Sequence, residues 1–488
     1  AEKSIESSTP ASSTSSSSTK DEAIKEATKE TKSTTSKLRD VVPTPTDIGP
    51  LLPDEFKGSI FDNINLIFKD NSGKDVTADN FKADGTIDFQ YAWSLPNRLN
   101  DDYQLKDGDY YTFSLPKNIG YRIGTGSLGD YGDYEIRSDG TVKFTFKNIG
   151  SVENIKGTFF YKQSTIVTDQ PGQTTIDIPT KDGNYKADIV IKPSGGEDIA
   201  KAGSLNKDNH NPSQIFWDVT INTNGNHLKN AIVSDAFPEG NTYSSVIVKP
   251  LVLDMKGDVI SEGTPLSPDV DYTVDASGTV KFIGKYADTY QAFRVSYTTN
   301  INENKKPNDG GQVIFDNKAT LTNGDKVTRA GAEVTANYGS LLSKTYDGID
   351  QAGSQVFNWH IDYNAGEKLL PAGASIVDSL DGDQVFYKEP VLTGNDNQPI
   401  DTSLYNISYS DDHKTMTVTF PKGIDKQVKI AYQSQVTVPI GDDGKTILTN
   451  KVKSGDTETD ANSGEVRSQG LYKSIANDGI DYANRTVT

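Results

Sequence analysis

The sequence predicts an all-β protein: tandem Ig-like β-sandwich domains in an elongated array, behind a disordered N-terminal leader. Three observations carry that reading. Short runs of alternating apolar and polar residues recur between Gly, Asn and Asp turns, the period-two signature of half-buried strands. No amphipathic helix of three turns occurs after residue 40. The second half of the chain also repeats itself over roughly 130 residues, as tandem modules do.

Length and charge bound what such a chain does. At about 100–200 residues per domain, 488 residues imply three or four domains. The 68 acidic against 49 basic side chains leave a net charge of −19, which argues against a nucleic-acid partner, because phosphate backbones demand a Lys/Arg surplus. No run approaches the roughly 20 apolar residues of a membrane span, so no membrane insertion is expected. Cysteine is absent, which excludes disulfides, Cys-ligated zinc and thiol nucleophiles together. The four histidines (His210, His227, His360, His413) form no H-x-x-x-H pair and read as surface or incidental polar residues. The acidic turns Asp381-Gly-Asp383 and Asp442-Asp-Gly444 do not fit the twelve-position calcium loop. Neither metal nor cofactor is expected.

Along the chain, residues 1–40 are rich in Ser, Thr, Lys and Glu and lack aromatics. They cannot bury enough apolar surface to offset their ordering entropy. The segment has no apolar core of a signal peptide and reads as a mature N-terminus. From Val41 the strand-like runs begin, among them Tyr110–Leu115, Thr141–Phe146, Gln214–Ile221 and Thr415–Phe420. Turn signals such as Ser138-Asp-Gly140 and Ala276-Ser-Gly278 separate them at hairpin spacing. A first β-domain is expected at 41–194, and two related domains at 195–338 and 339–469. Residues 470–488 read as the start of a further module, because Leu471–Asp481 echoes Leu342–Asp350. The junctions Gly195-Gly196 and Tyr338–Ser340 are too short to be flexible linkers.

The repeat is anchored in order. Trp217–Asn222 matches Trp359–Asn364, and Asn230–Asp235 matches Ala374–Asp378. Tyr272–Val274 with Val280–Phe282 matches Tyr405–Ile407 with Val418–Phe420. Val295–Tyr297 matches Ile430–Tyr432, and Phe315–Ala319 matches Leu448–Val452.

Three residue types recur on this frame. A lysine precedes each tryptophan (Lys201, Lys344), an aspartate follows it (Asp235, Asp378), and an asparagine sits near the end (Asn317, Asn450). Any one of them in a β-domain is ordinarily surface decoration; recurrence at matched anchors singles them out. Buried together, they can make a bond without a cofactor. Desolvation lowers the lysine pKa and raises that of the acid. A neutral amine then attacks the Asn side-chain carbonyl, and a protonated Asp polarises that carbonyl and shuttles the proton as ammonia leaves. The product is a Lys–Asn isopeptide bond, formed once, so the chain is expected not to be an enzyme in the turnover sense. Asp218 is an alternative acid beside Trp217, but its repeat counterpart is His360; Asp362 faces Thr220 and fails likewise. The tryptophans themselves read as core residues that at most flank the pocket.

The pattern Lys201-Ala-Gly203, Trp217, Ile232–Asp235, Tyr297 and Phe315-Asp-Asn317 resembles the collagen-adhesin domains of Gram-positive surface proteins. In that family a Lys in K-x-G, an Asp in an I-x-V/I-x-D strand and an Asn in F-x-N form an internal isopeptide bond. The second repeat matches at the Lys, Asp and Asn, with Leu448 in place of the Phe. Residues 41–194 resemble the family's N-terminal partner domain through Lys106–Pro116, Tyr91–Pro96 and Asn154–Phe159. That domain carries no equivalent Lys/Asp/Asn set. The resemblance implies a cell-wall-anchored extracellular adhesin, acting as a monomer, that closes its first two domains around a host extracellular-matrix protein such as collagen. Where the family's staphylococcal collagen adhesin has a trench-lining tyrosine before the lysine, this chain has Ala200, and no L-P-x-T-G sorting motif occurs. The alternative is a stalk of spacer modules with ligand binding elsewhere. In either case the crosslinks are expected to tie the first strand of each repeat domain to its last, in place of disulfides.

Overall fold

The computed structural model describes residues 44–99, 103–351, 354–437, 445–467, 480–481 and 486–487. The leader expected at 1–40, the turn Asp442–Gly444 and most of residues 470–488 lie outside the described residues. Among those described, strands dominate, and the only helical segments are three-residue 3-10 turns.

Alternation in the sequence becomes alternation in burial. Along Gln214–Ile221, Ile215, Trp217, Val219 and Ile221 are buried while Phe216 between them is exposed. Three large hydrophobic clusters result, drawn from residues 48–191, 199–338 and 341–466. Each contains one tryptophan, Trp93 in the first, Trp217 in the second and Trp359 in the third, each essentially inaccessible. Truncating such a core aromatic to alanine typically costs about 3–5 kcal/mol.

The first cluster is enclosed by two four-stranded antiparallel sheets and the hairpin Gly172–Thr180/Gly183–Ile191. The second lies between two five-stranded sheets. One runs in the order Ile199–Leu205, Gln214–Ile221, Ala292–Ile301, Asn241–Leu253, Val259–Glu262. The other runs Tyr272–Val274, Val280–Phe282, Ile232–Ala236, Gly311–Asn323, Lys326–Tyr338. The third cluster repeats the plan. Leu342–Ile349, Val356–Tyr363 and Val428–Val436 pair in one sheet, with Gln384–Phe386 and Val391–Thr393 both on Val428–Val436. Its facing sheet runs Asn406–Tyr409, Thr415–Phe420, Ala374–Leu380, Lys445–Ser454, Thr457–Arg467.

Both junctions are stitched by polar contacts. At the first, the Ser194 and Gly195 amides donate to the Met255 and Lys256 carbonyls, and Lys192 Nζ reaches Asn80 Oδ1 (3.1 Å) and Asn226 Oδ1 (3.2 Å). At the second, Asn211 spans the joint: its Nδ2 donates to the Ala365 carbonyl (2.8 Å) and its Oδ1 accepts from the Gly339 amide (3.0 Å). Lys306 Nζ donates to the Glu367 carbonyl (3.2 Å) beside it.

Candidate functional site

Two buried polar clusters occupy equivalent places in the second and third cores. In each, the lysine stands on the first strand of one sheet, and the aspartate and asparagine stand on neighbouring strands of the facing sheet. Register fixes this placement. Lys201 pairs with Val219 and Lys344 with Ile361, each two residues beyond the tryptophan. Asp235 pairs with Ala319, two residues beyond Asn317; Asp378 pairs with Val452, two residues beyond Asn450. Side chains two apart on a strand share a face, so acid and amide both point across the core toward the lysine.

In the third domain Lys344 Nζ donates to Asp378 Oδ1 (2.5 Å) and to the Tyr432 hydroxyl (2.7 Å), and Asn450 Nδ2 donates to the same hydroxyl (3.4 Å). In the second, Lys201 Nζ donates to Asp235 Oδ2 and lies 5.2 Å from the centre of the Trp217 ring. The Asn317 amide lies beside Asp235 without closing a hydrogen bond to it. The side chains of both Lys–Asp pairs have no solvent exposure.

Burial sets the electrostatics. Desolvation pushes Lys201 and Lys344 below the ordinary lysine value and Asp235 and Asp378 above the ordinary carboxylate value, against the opposing pull of each ion pair. Moving the proton from ammonium to carboxylate removes both charges at once, which a dry core favours. Asp235 Oδ1 and Asp378 Oδ2 have no hydrogen-bond partner. Each cluster therefore has the parts of an amine nucleophile, an acid with a free oxygen, and an amide electrophile.

The alternative acids stand elsewhere. Asp218 is partly exposed, accepts from Ser296 Oγ (2.5 Å) and lies 3.8 Å from Arg294. Asp362 faces His360, which also contacts Asp347. Trp217 and Trp359 are core residues flanking the clusters. Gly203 lies on Trp217, where a Cβ would come within 2.6 Å of the indole and of Val334. In the third domain Tyr346 holds the equivalent register position and packs on Trp359 at 4.9 Å.

The expectation that first and last strands are joined is corrected. Asn317 and Asn450 lie on the penultimate strands, Gly311–Asn323 and Lys445–Ser454, each followed by one more strand in the hairpin. The final strands bury no residue along their first halves, so their periodicity gave little sign of them. Sequence reasoning also gave no role to Tyr297 and Tyr432, although both are repeat anchors, and it missed Gln384 altogether. Among the described residues no group of three or more His, Asp or Glu forms a metal site, and no helix is long and apolar enough to cross a membrane.

A cleft of about 450 Å³ opens between the first two domains, lined by Gln173 and Ile191 on one side and by Leu251, Leu253, Tyr290 and Gln291 on the other. Residues 196–331, which form one wall of it, match the family model of the collagen binding domain. No curated protein matches the chain significantly. Among solved structures, the Enterococcus faecalis adhesin ACE, described as binding its ligands by the collagen hug model, shares 19% identity over 58% of this chain and 96% of its own, with a TM-score of 0.22. The collagen adhesin of S. aureus shares 15% identity over 55% and 90%, TM-score 0.21. The collagen binding domain of Erysipelothrix rhusiopathiae surface protein RspB shares 16% over 52% and 92%, TM-score 0.20.

Proposed function

From the premise that residues 196–331 belong to the collagen-binding domain family, we propose that the chain is a surface adhesin that grips an extended host-matrix protein of the collagen type between its first two domains. The family match carries this reading, because the matched domain supplies one wall of the cleft between residues 41–194 and 195–338. The cleft is apolar in part and carries amide and hydroxyl groups from Gln173, Gln291 and Tyr290. That mixture suits a partner whose own surface alternates apolar rings and backbone carbonyls. Residues 339–469 act as a spacer, supported by the Asn211 joint that ties them to the second domain. The setting is the outer surface of a Gram-positive cell wall, with the adhesin acting as a monomer.

The second and third domains each form one internal amide. Neutral Lys201 Nζ attacks the Asn317 side-chain carbonyl carbon, Asp235 carries the proton from the amine to the departing nitrogen, and ammonia leaves. Lys344, Asp378 and Asn450 do the same. The lysine loses one hydrogen, the asparagine loses its amino group, and the aspartic acid ends as it began. The reaction happens once per domain and needs no cofactor.

Binding is tested on immobilised matrix proteins, including triple-helical collagen, with residues 41–338 and 339–469 prepared separately. Saturable binding is expected from 41–338 alone. Binding by neither piece would favour a pure spacer.

A further inference from the structure

The third domain holds a hydrogen-bonded relay that the second lacks. Trp359 Nε1 donates to Ser434 Oγ (2.9 Å), Ser434 Oγ donates to Gln384 Oε1 (2.9 Å), and Gln384 Nε2 donates to Asn450 Oδ1 (3.1 Å). All four side chains are buried. An indole nitrogen can only donate, so the serine oxygen must accept from it and has its own proton to give to Gln384. The Gln384 oxygen is thereby fixed toward Ser434 and its amino group toward Asn450. Backbone carbonyls hold that amino group from the other side: Asp381 at 3.0 Å and Thr449 at 3.5 Å.

We propose that Gln384 is a catalytic residue of the Lys344–Asn450 crosslinking reaction, donating to the Asn450 carbonyl oxygen, with Ser434 and Trp359 as positioning residues that fix which way its amide faces. This rests on the isopeptide reading above. When Lys344 Nζ bonds to Asn450 Cγ, the carbonyl π pair moves onto Oδ1, where Gln384 Nε2 already points. Collapse restores the carbonyl, breaks the bond from Cγ to Nδ2 and releases ammonia, its third hydrogen coming from the lysine through Asp378. Gln384 gains and loses no proton. A fixed donor at the oxygen where charge develops lowers the barrier without reorganisation. Oδ1 retains a second lone pair for Asp378.

The second domain supplies the contrast. By register Asn241, opposite Ile301, stands where Gln384 stands opposite Val436, and Thr299 stands where Ser434 does. Thr299 Oγ1 donates to Asn241 Oδ1 (3.1 Å). The chain of contacts goes no further: Trp217 Nε1, Asn241 Nδ2 and both polar atoms of the Asn317 side chain have no partner. Asn241 is one methylene shorter than Gln384.

The test follows both crosslinks in the full chain after pulsed cell-free synthesis, by quantifying the two branched peptides over time. Gln384→Met keeps volume and removes the donor. It is expected to slow the Lys344–Asn450 product roughly a hundredfold, as loss of one oxyanion donor does, and to leave Lys201–Asn317 at its wild-type rate. Ser434→Ala should slow the same product and Ser434→Thr restore it, whereas a packing role would not follow the hydroxyl. Asn241→Gln should hasten the Lys201–Asn317 product. A Gln384→Met chain that forms Lys344–Asn450 at the wild-type rate overturns the proposal, as does equal slowing of both products. Absence of the Lys344–Asn450 peptide from wild type overturns the isopeptide reading itself.

Discussion

Replacing Lys344 with methionine is expected to lower the unfolding temperature of the third domain by roughly 10–20 °C, and replacing Asp378 with alanine is expected to lower it further. Joining Lys344 to Asn450 closes a loop of roughly a hundred residues, which on chain-entropy grounds is worth about 4–5 kcal/mol. Methionine removes the crosslink and fills the lysine's volume, leaving Asp378 as an acid that burial already pushes toward its neutral form. Alanine at 378 removes the crosslink, leaves the amine without its acid partner in a pocket without solvent exposure and empties the carboxyl's space as well, which together add about 3–5 kcal/mol of destabilisation. Calorimetry of the full chain should therefore rank wild type above Lys344→Met and Lys344→Met above Asp378→Ala. The second domain's transition should hardly move, because distant sites are additive. A Lys344→Met chain as stable as wild type contradicts the crosslink.

Stretching the chain from its ends should show a second large effect. With both amides in place, the loops from Lys201 to Asn317 and from Lys344 to Asn450 cannot extend. In Asp235→Ala/Asp378→Ala each domain should release an additional contour length of roughly 35–40 nm, at about 3.3–3.6 Å per residue. Because Asn317 lies on the penultimate strand, the segment from Asn317 to Tyr338 stays outside the loop. Wild type should still yield a short extension of roughly 7 nm from peeling that segment. Single-molecule force spectroscopy reads both lengths. Release of the full loop length by wild type contradicts the account.

Much of the architecture was legible in the sequence because half-buried strands announce themselves by alternation. Thr141–Phe146, Gln214–Ile221 and Thr415–Phe420 have the bounds their pattern predicts. The six crosslink candidates were legible for a different reason: the repeat filtered acids by position, setting Asp235 and Asp378 apart from Asp218 and Asp362. The structure brings each lysine onto its aspartate. Gln384 was not legible, since its counterpart Asn241 differs in residue type and lies outside the matched anchors. The final strand Lys326–Tyr338 was obscured because only its second half faces the core closely. The junction contacts of Lys192 and Asn211 had no local signal at all; each depends on which surfaces the neighbouring domains bring together.

Loss of cysteine chemistry leaves a small set of ways to staple a domain, and a Lys–Asn amide is one that reducing conditions do not break. The most direct test is the intact mass of the purified chain under denaturing conditions. The account predicts a value below the sequence mass by two molecules of ammonia, with Asp235→Ala and Asp378→Ala each restoring one beyond the change in side-chain mass. A wild-type mass equal to that of the unmodified sequence would contradict it.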